Sequence, residues 1–485
     1  MEERSQDLPE CQEFSDLTTS ELEELEKIVN EKYAKLQSKL PNTRYDNETV
    51  TSAGNLFFVN TFKKHIGFQD MVSKALHVPR GDNVSFSTEE IIDFLTDCIF
   101  VGFHRFSHQN QLGEDPGYRR MKNKSSFPDE STTRKFLKRF KKLNIEELKG
   151  LNSTILARKA ELHGPRRVWL SIDDSALTLY GKQEKGEFGY NPHRKGSPSY
   201  KMKVAFVNGS KELVNASLLS GNAKGTTDIT EFLDQTFNFL PREWVPEGLL
   251  LDRDFFSEDL LEELEERQLK YMVKARMYST LKRHALSIPE EEWEYVGNDY
   301  YVTEKVCRLD SWEHERRFVF IRKRIDSRKA PEGQLSFEEM KAHTYRYEAI
   351  VTNVEPDEST PLAVWQEYNQ RSVVENNIEE LKEGFAVRQA SQQKFLQNYS
   401  YMFIKVIAYN LIGWFMDDLM PSEFCRVSVR TLRRIFINRP ANIVKRGGRK
   451  LTIRLAPDKI VKRIIEAIKD RWWFFLMRES FAGFA

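Results

Sequence analysis

At 485 residues, with 40% hydrophobic and 12% aromatic content, the chain is long enough for two or three domains, or for one large core with insertions. Its four cysteines (Cys11, Cys98, Cys307 and Cys425) stand far apart, with neither Cys-x-x-Cys nor Cys/His metal spacing, which argues against a disulfide framework or zinc module and for a reduced, cytosolic protein. A formal net charge of +1 hides an asymmetry: residues 1–50 hold 6 Lys/Arg against 13 Asp/Glu and residues 421–485 hold 16 against 5, so any polyanion binding is expected towards the back.

The acidic N-terminus lacks the basic flank and apolar run of a secretory signal. Ser20-Glu21-Leu22-Glu23 reads as the capped start of a helix to about Leu40, with an amphipathic stripe of Leu22, Leu25, Val29, Tyr33 and Leu36. A second helical region starts at Ser87-Thr88-Glu89-Glu90, and a third follows Phe127-Pro128-Asp129. In the third, from about Thr132, Phe136, Leu137 and Phe140 alternate with Arg134, Lys135, Lys138, Arg139, Lys141 and Lys142. That pattern predicts buried aromatics and exposed cations, suited to DNA or simply to solvent. Residues 1–150 are therefore expected to form an all-helical N-terminal DNA-binding domain.

The period then changes. Arg167 to Asp174 alternates as a strand, with Val168, Leu170 and Ile172 on one side and Trp169, Ser171 and Asp173 on the other. Lys203–Val207 and Glu212–Leu219 follow as strands joined at Asn208-Gly209-Ser210. A helix is expected over Thr227–Phe239, then a buried strand from Gly248 ending in Asp252 and Asp254, a helix from Ser257 to about Gln268, and a strand over Lys270–Ala275. This order matches a ribonuclease-H-like α/β core over residues 151–425. Strand-like stretches at Tyr300–Leu309, Arg317–Ile325 and Tyr345–Val351 predict a strand-rich insertion at about 277–360. The apolar run Tyr401–Met420 contains Lys405, Asp417 and Asp418, which makes it a buried helix rather than a membrane span. A basic C-terminal region, 426–485, carries a short strand at Leu451–Leu455 and an amphipathic helix from about Asp458 to Asp470.

Tyr368, Arg371, Glu375 and Lys382 recur at helical spacing within YNQRSVVENNIEELK. At a step of about 100° per residue they share one face. Taken alone, such charge is what a solvated helix with i,i+4 ion pairs displays. A carboxylate flanked by cations and a phenol also suits a metal held against phosphate. Phosphodiester cleavage with two divalent metals needs carboxylates converging from separate elements, and Asp173, Asp252 and Glu375 are the natural trio. Alternation favours Asp173 over Asp174, while Asp254 stays open as an alternative to Asp252. The loop Tyr190–Tyr200, with His193-Arg194-Lys195 among aromatics, is a further candidate nucleic-acid contact.

The segments SIDDSALTLYGKQE, GYNPHRKGSPSY, LDRDFFSEDLLEELE and YNQRSVVENNIEELK resemble the DDE transposases of bacterial insertion sequences. Within them the chain resembles the branch marked by Tyr-x2-Arg-x3-Glu-x6-Lys, the YREK signature, which Tyr368, Arg371, Glu375 and Lys382 fit without a gap. The resemblance implies Asp173, Asp252 and Glu375 as catalytic and metal-binding acids, with two Mg2+ ions for which Mn2+ can substitute. It implies Tyr368, Arg371 and Lys382 as phosphate contacts at the transposon end. It further implies nicking and strand transfer, terminal inverted repeats and target DNA as partners, a homodimer when synapsed on DNA, no membrane, and a bacterial, nucleoid-associated cytoplasmic protein. Some members stack an insertion Trp on a flipped base, and Trp293 and Trp312 are the candidates, each otherwise a core residue. The rival expectations are a stand-alone metal-dependent nuclease on the same fold and a domesticated, non-catalytic DNA-binding protein.

Overall fold

Hydrophobic periodicity changes twice along the chain, from helical to alternating and back, and the structure changes with it. The computed structural model describes residues 18–37, 47–81, 84–192, 194–325, 344–446 and 450–482. Residues 1–48 form one unit and residues 49–485 another. The first contains helix α1 (Thr19–Gln37), on which Leu25 is half-buried while Val29 and Tyr33 are exposed. The side chains of Leu22 and Leu36 lie outside the described residues.

The second unit opens with a short strand β1 (Val50–Thr51) and seven helices: α2 (Leu56–His65), α3 (Phe68–Ala75), α4 (Thr88–Val101), α5 (Phe106–Gly113), α6 (Pro116–Lys122), α7 (Glu130–Lys138) and α8 (Lys142–His163). Local chemistry sets their ends. Ser87 and Glu90 form a reciprocal capping box on α4, and Gly102 ends that helix at φ 97°, a conformation costly for a residue with a Cβ. Asp115 caps α6 ahead of Pro116, and Asp129 caps α7. On and after α7, Phe136, Leu137 and Phe140 are buried, and Lys135, Lys138, Arg139, Lys141 and Lys142 face solvent.

These helices enclose a buried ionic network. Lys63 contacts Asp93 at 2.7 Å and Asp97 at 2.6 Å, Lys122 contacts the same acids at 2.6 and 3.0 Å, and the Tyr118 hydroxyl donates to Asp97 at 2.7 Å. Burial pushes the Asp93 carboxyl up, but Lys63 and Lys122 outweigh it and hold the group well below the usual carboxylate range. Removing one cation leaves a buried charge uncompensated, so Lys63→Met should destabilise the protein by about 3–5 kcal/mol, read from the urea midpoint.

Alternating apolar residues build a nine-stranded sheet in the order β4-β3-β2-β5-β6-β10-β9-β8-β7. Its first half is β2 (Arg166–Thr178), β3 (Ser199–Val207) and β4 (Leu213–Ser220), antiparallel and turned at Gly209 (φ 71°), then β5 (Trp244–Leu251) and β6 (Lys270–Lys274), parallel to β2. Helices α9 (Ile229–Phe239) and α10 (Glu258–Glu266) make the crossovers, and α11 (Ser279–Ser287) follows β6. The strands expected as an insertion are β7 (Glu294–Gly297), β8 (Tyr300–Cys307), β9 (Arg316–Arg324) and β10 (Tyr345–Thr352). They extend the same sheet, because β10 pairs antiparallel with β6 through Thr352 and Met272.

The two faces of the sheet bury different clusters. Val168, Leu170, Ile172, Leu249 and Leu251 pack with α9 and α10. On the other face, Leu177, Met202, Val204 and Phe206 join the opening helices and α14 (Phe395–Leu419), a helix buried on all sides. Beside that cluster, Leu250, Met272, Val319 and Ile350 pack under α12 (Pro361–Asn369) with Tyr368. Helix α13 (Ser372–Glu379) packs on the cluster around α14 through Val374 and Ile378. A second sheet orders β1 beside β11 (Ala441–Arg446) and β12 (Lys450–Leu455), tying Val50 to Asn442. The last helix, α15 (Lys459–Ala482), runs past its expected end, and its Phe475 packs on Phe62 and Trp414. Among the described residues, no helix is long and apolar enough to cross a membrane.

Candidate active site

Strand parity brings two acids to one face. Ile172 of β2 registers with Leu251 of β5, both pointing to the α9/α10 side, so the next residues, Asp173 and Asp252, emerge together on the opposite side. Asp252 stands where β5 ends and a tight turn, Arg253–Phe255, begins. Parity sends Asp174 to the other face, where it meets Lys201 at 2.9 Å and feels the charge of Asp254. Asp254 is held by Arg276 at 3.0 Å. The four acids thus form two pairs, Asp173 with Asp252 and Asp174 with Asp254.

The segment Tyr368–Lys382 comes over the Asp173/Asp252 pair in three pieces. α12 ends at Asn369, and Gln370 and Arg371 keep helical dihedrals while the chain tightens through i→i−3 bonds such as Arg371 N–H to the Tyr368 carbonyl. After α13 a turn of π-helix, Glu380–Gly384, carries Lys382. The continuous face expected from spacing is thus interrupted twice. The Tyr368 hydroxyl donates to the Leu251 carbonyl at 3.0 Å, one residue before Asp252. Arg371 meets Asp173 at 2.8 Å and Glu375 at 3.7 Å, so one guanidinium bridges two of the three predicted acids. Arg371 is buried, whereas the Glu375 side chain is 70% exposed. Lys382 is buried and within electrostatic reach of Asp173.

The electrostatics follow from this crowding. Burial pushes the Asp173 carboxyl up to about 7; Arg371 pulls it down, and the charge of Asp252 pushes it further up. Burial raises the Tyr368 phenol and lowers the Lys382 ammonium, the latter with help from Arg388. The Arg371 Nε is buried and finds no acceptor among the described residues, a donor that a phosphate oxygen or a shifted carboxylate would satisfy.

Two half-buried carboxylates on one side of neighbouring strand ends are donors of the type a hard divalent cation takes, and Asp173 and Asp252 are the two that fit best. Among the described residues, no three His, Cys, Asp or Glu side chains are grouped closely enough to hold a metal, and Glu375 is separated from the pair by Arg371. The insertion tryptophans are core residues: Trp293 packs under Arg322 and Trp312 on Phe256 and Phe318. His193 lies outside the described residues.

A family profile described as "Transposase DDE domain group 1" matches residues 36–472, most of the chain. The chain belongs to the DDE transposase family. Among solved structures it is similar to a chain of a "piggyBac transposase synaptic complex with hairpin DNA", at 12% identity, 79% coverage of each chain and a TM-score of 0.40. No curated protein sequence matches it. Sequence reasoning did not single out Tyr180, Arg105 or Arg388, which line a groove beside Lys382. Their signal was weak, because cations and one tyrosine from four separate segments converge only in three dimensions.

Proposed function

We propose that this chain is a DNA transposase that nicks at the ends of a mobile element and joins the freed 3′-OH to target DNA. The observation that supports the reading most directly is the emergence of Asp173 and Asp252 side by side from adjacent parallel strands, with Arg371 laid on Asp173. The strand order β4-β3-β2-β5-β6, antiparallel then parallel, supports a ribonuclease-H-like core with β7–β10 as its insertion.

In this reading Asp173 and Asp252 would hold divalent metal, two Mg2+ ions with Mn2+ able to substitute, and Glu375, which Arg371 separates from the pair in this structure, would be the third acid. When bound, such a pair activates the attacking oxygen and stabilises the leaving one. The chain's own residues do the positioning. Tyr368, expected from the sequence as a phosphate contact, is buried, and fixes the strand end that carries Asp252 through the Leu251 carbonyl. Arg371 and Lys382 supply positive charge to the phosphate, Arg371 with an Nε still free to donate. In the first step water attacks the phosphorus and the bond to the 3′ oxygen breaks, leaving a 3′-OH. In the second that hydroxyl attacks a target phosphorus and displaces its 3′ oxygen. Residues 1–150 bind the DNA end, residues 151–425 carry the chemistry, and the basic residues 426–485 follow the backbone, in a homodimer formed on paired ends. The YREK branch, a bacterial insertion sequence and a place with the chromosomal DNA complete the proposal.

The test supplies purified protein with element-end duplex, target DNA and Mg2+. Joined products are expected, and Glu375→Gln should cut their formation by about a thousandfold or more while end binding persists. Nicks without joining would instead mark a stand-alone nuclease, and neither product would mark a DNA-binding protein. Full activity in Glu375→Gln would remove that residue from the site.

A further inference from the structure

Among the described residues, helix α1 is the only element of residues 1–48, and its apolar face is open. Ile28 (43%), Val29 (53%) and Tyr33 (46%) are exposed, and Leu25 is half-buried. A lone helix of 19 residues is marginal in water, and an amphipathic stripe stabilises one by packing on a partner.

The stripe is symmetric about Val29. Leu25 and Tyr33 stand four residues either side of it, and the sequence sets Leu22 and Leu36 seven residues either side. At about 100° per residue, all four positions fall within about 40° of Val29 around the helix. The stripe therefore repeats itself when the direction of the helix is reversed. A second α1 laid antiparallel, Val29 against Val29, brings Leu25 level with Tyr33 of the other copy. The charges change sign at the same point. Residues 19–28 hold four Glu against one Lys, and residues 30–37 two Lys against one Glu. Glu23, Glu24, Glu26, Lys32 and Lys35 are all exposed. A parallel pair would set the glutamates of one copy beside those of the other, whereas an antiparallel pair sets each acidic half against a basic one. An unrelated partner would have no need of a stripe and a charge reversal centred on one residue. Two identical chains related by a two-fold axis do need it, because one patch then serves both sides.

We propose that α1 is a self-association helix that pairs antiparallel with α1 of a second copy, about a two-fold axis at Val29. The homodimer proposed above forms on paired DNA ends. This contact needs neither DNA nor metal and stands apart from the transposase reading.

Sedimentation equilibrium of the full chain, without DNA and over about 1–100 µM, should show the mass rising from one chain towards two. Val29→Glu places a charge at the centre of the contact and should weaken association by about a hundredfold or more. The substitution lies on an exposed helix face, so the main melting transition should keep its wild-type temperature. A chain carrying Glu23→Lys, Glu24→Lys and Glu26→Lys should stay monomeric, as should one carrying Lys32→Glu and Lys35→Glu, and a mixture of the two should associate. Orientation is read by disulfide cross-linking in a Cys11→Ser background. A mixture of Leu25→Cys and Tyr33→Cys chains should cross-link, and neither should do so alone, because copies of one position lie about 12 Å apart along an antiparallel pair. A monomer at every concentration, or a dimer that Val29→Glu leaves intact, overturns the proposal. Cross-linking of Leu25→Cys with itself would mark a parallel pair and overturn it too.

Discussion

Asp252→Asn should lower strand cleavage by about a thousandfold or more and, at pH 8, leave the protein more stable than wild type by about 1 kcal/mol. The two effects have one cause. Asp173 is pushed up to about 7 by burial, and the neighbouring charge of Asp252 adds to that push. The sign follows from linkage. An acid whose folded pKa is raised above its unfolded value near 3.8 contributes stability that is complete below the unfolded value and lost as pH rises through the folded one. At pH 8 wild type therefore bears the full cost of two ionised carboxylates emerging side by side. Asn at 252 removes the repulsion and keeps the shape. Asp254→Asn is the matched control. That acid lies on the opposite face, tied to Arg276, and its loss should change cleavage by less than about tenfold. Urea titrations at pH 5 and 8, read beside a nicking assay, check both halves. Retained cleavage in Asp252→Asn together with lost cleavage in Asp254→Asn would move the site to the other face of the sheet.

Parity is also the part of the site most legible in the sequence. The alternation around Val168, Leu170 and Ile172 already separates Asp173 from Asp174, because a strand has only two faces. The spacing of Tyr368, Arg371, Glu375 and Lys382 likewise announces a shared surface. It does not announce that the chain tightens at Gln370–Arg371 and loosens into a π-helical turn at Glu380. Nor does it announce that Arg371 lies on Asp173, about two hundred residues away, because such contacts depend on packing between clusters rather than on local propensity. The single large sheet was hidden for a similar reason. The strands from Glu294 onward read locally as a strand-rich insertion, and only the non-local pairing of Ile350 with Lys274 makes them the far half of the same sheet. The overrun of the last helix beyond Asp470 is tertiary too: its aromatic residues find Phe62, His65 and Trp414.

Lys405→Met should stabilise the protein, and its effect should depend on pH. Lys405 lies inside α14 with its ammonium donating to the Ala386 carbonyl at 2.6 Å and 4.5 Å from the Tyr401 ring centroid. Burial pulls its pKa down to about 7. The unfolded chain, with an ordinary lysine near 10.5, then binds more protons than the folded one at every pH between those two values. Wild-type stability should therefore rise as pH goes from about 7 to 10.5, and the penalty is complete below 7. At about 1.4 kcal/mol per pKa unit the penalty is of order 4–5 kcal/mol, and the lost hydrogen bond returns about 1. Methionine fills a similar shape, and the Ala386 carbonyl keeps the Gln389 N–H at 3.0 Å, so no buried acceptor is orphaned. A gain of about 3 kcal/mol is expected at pH 6.5, falling to nothing near pH 10, in paired urea titrations. A loss of stability at both pH values would mean that the buried ammonium is net favourable. The gain should come with a functional cost. Ala386 has a left-handed backbone (φ 51°) just after the turn that carries Lys382, and the Lys405 ammonium is one of the two donors holding its carbonyl. Freeing that corner should therefore loosen Lys382 and weaken DNA-end binding while the fold itself grows more stable.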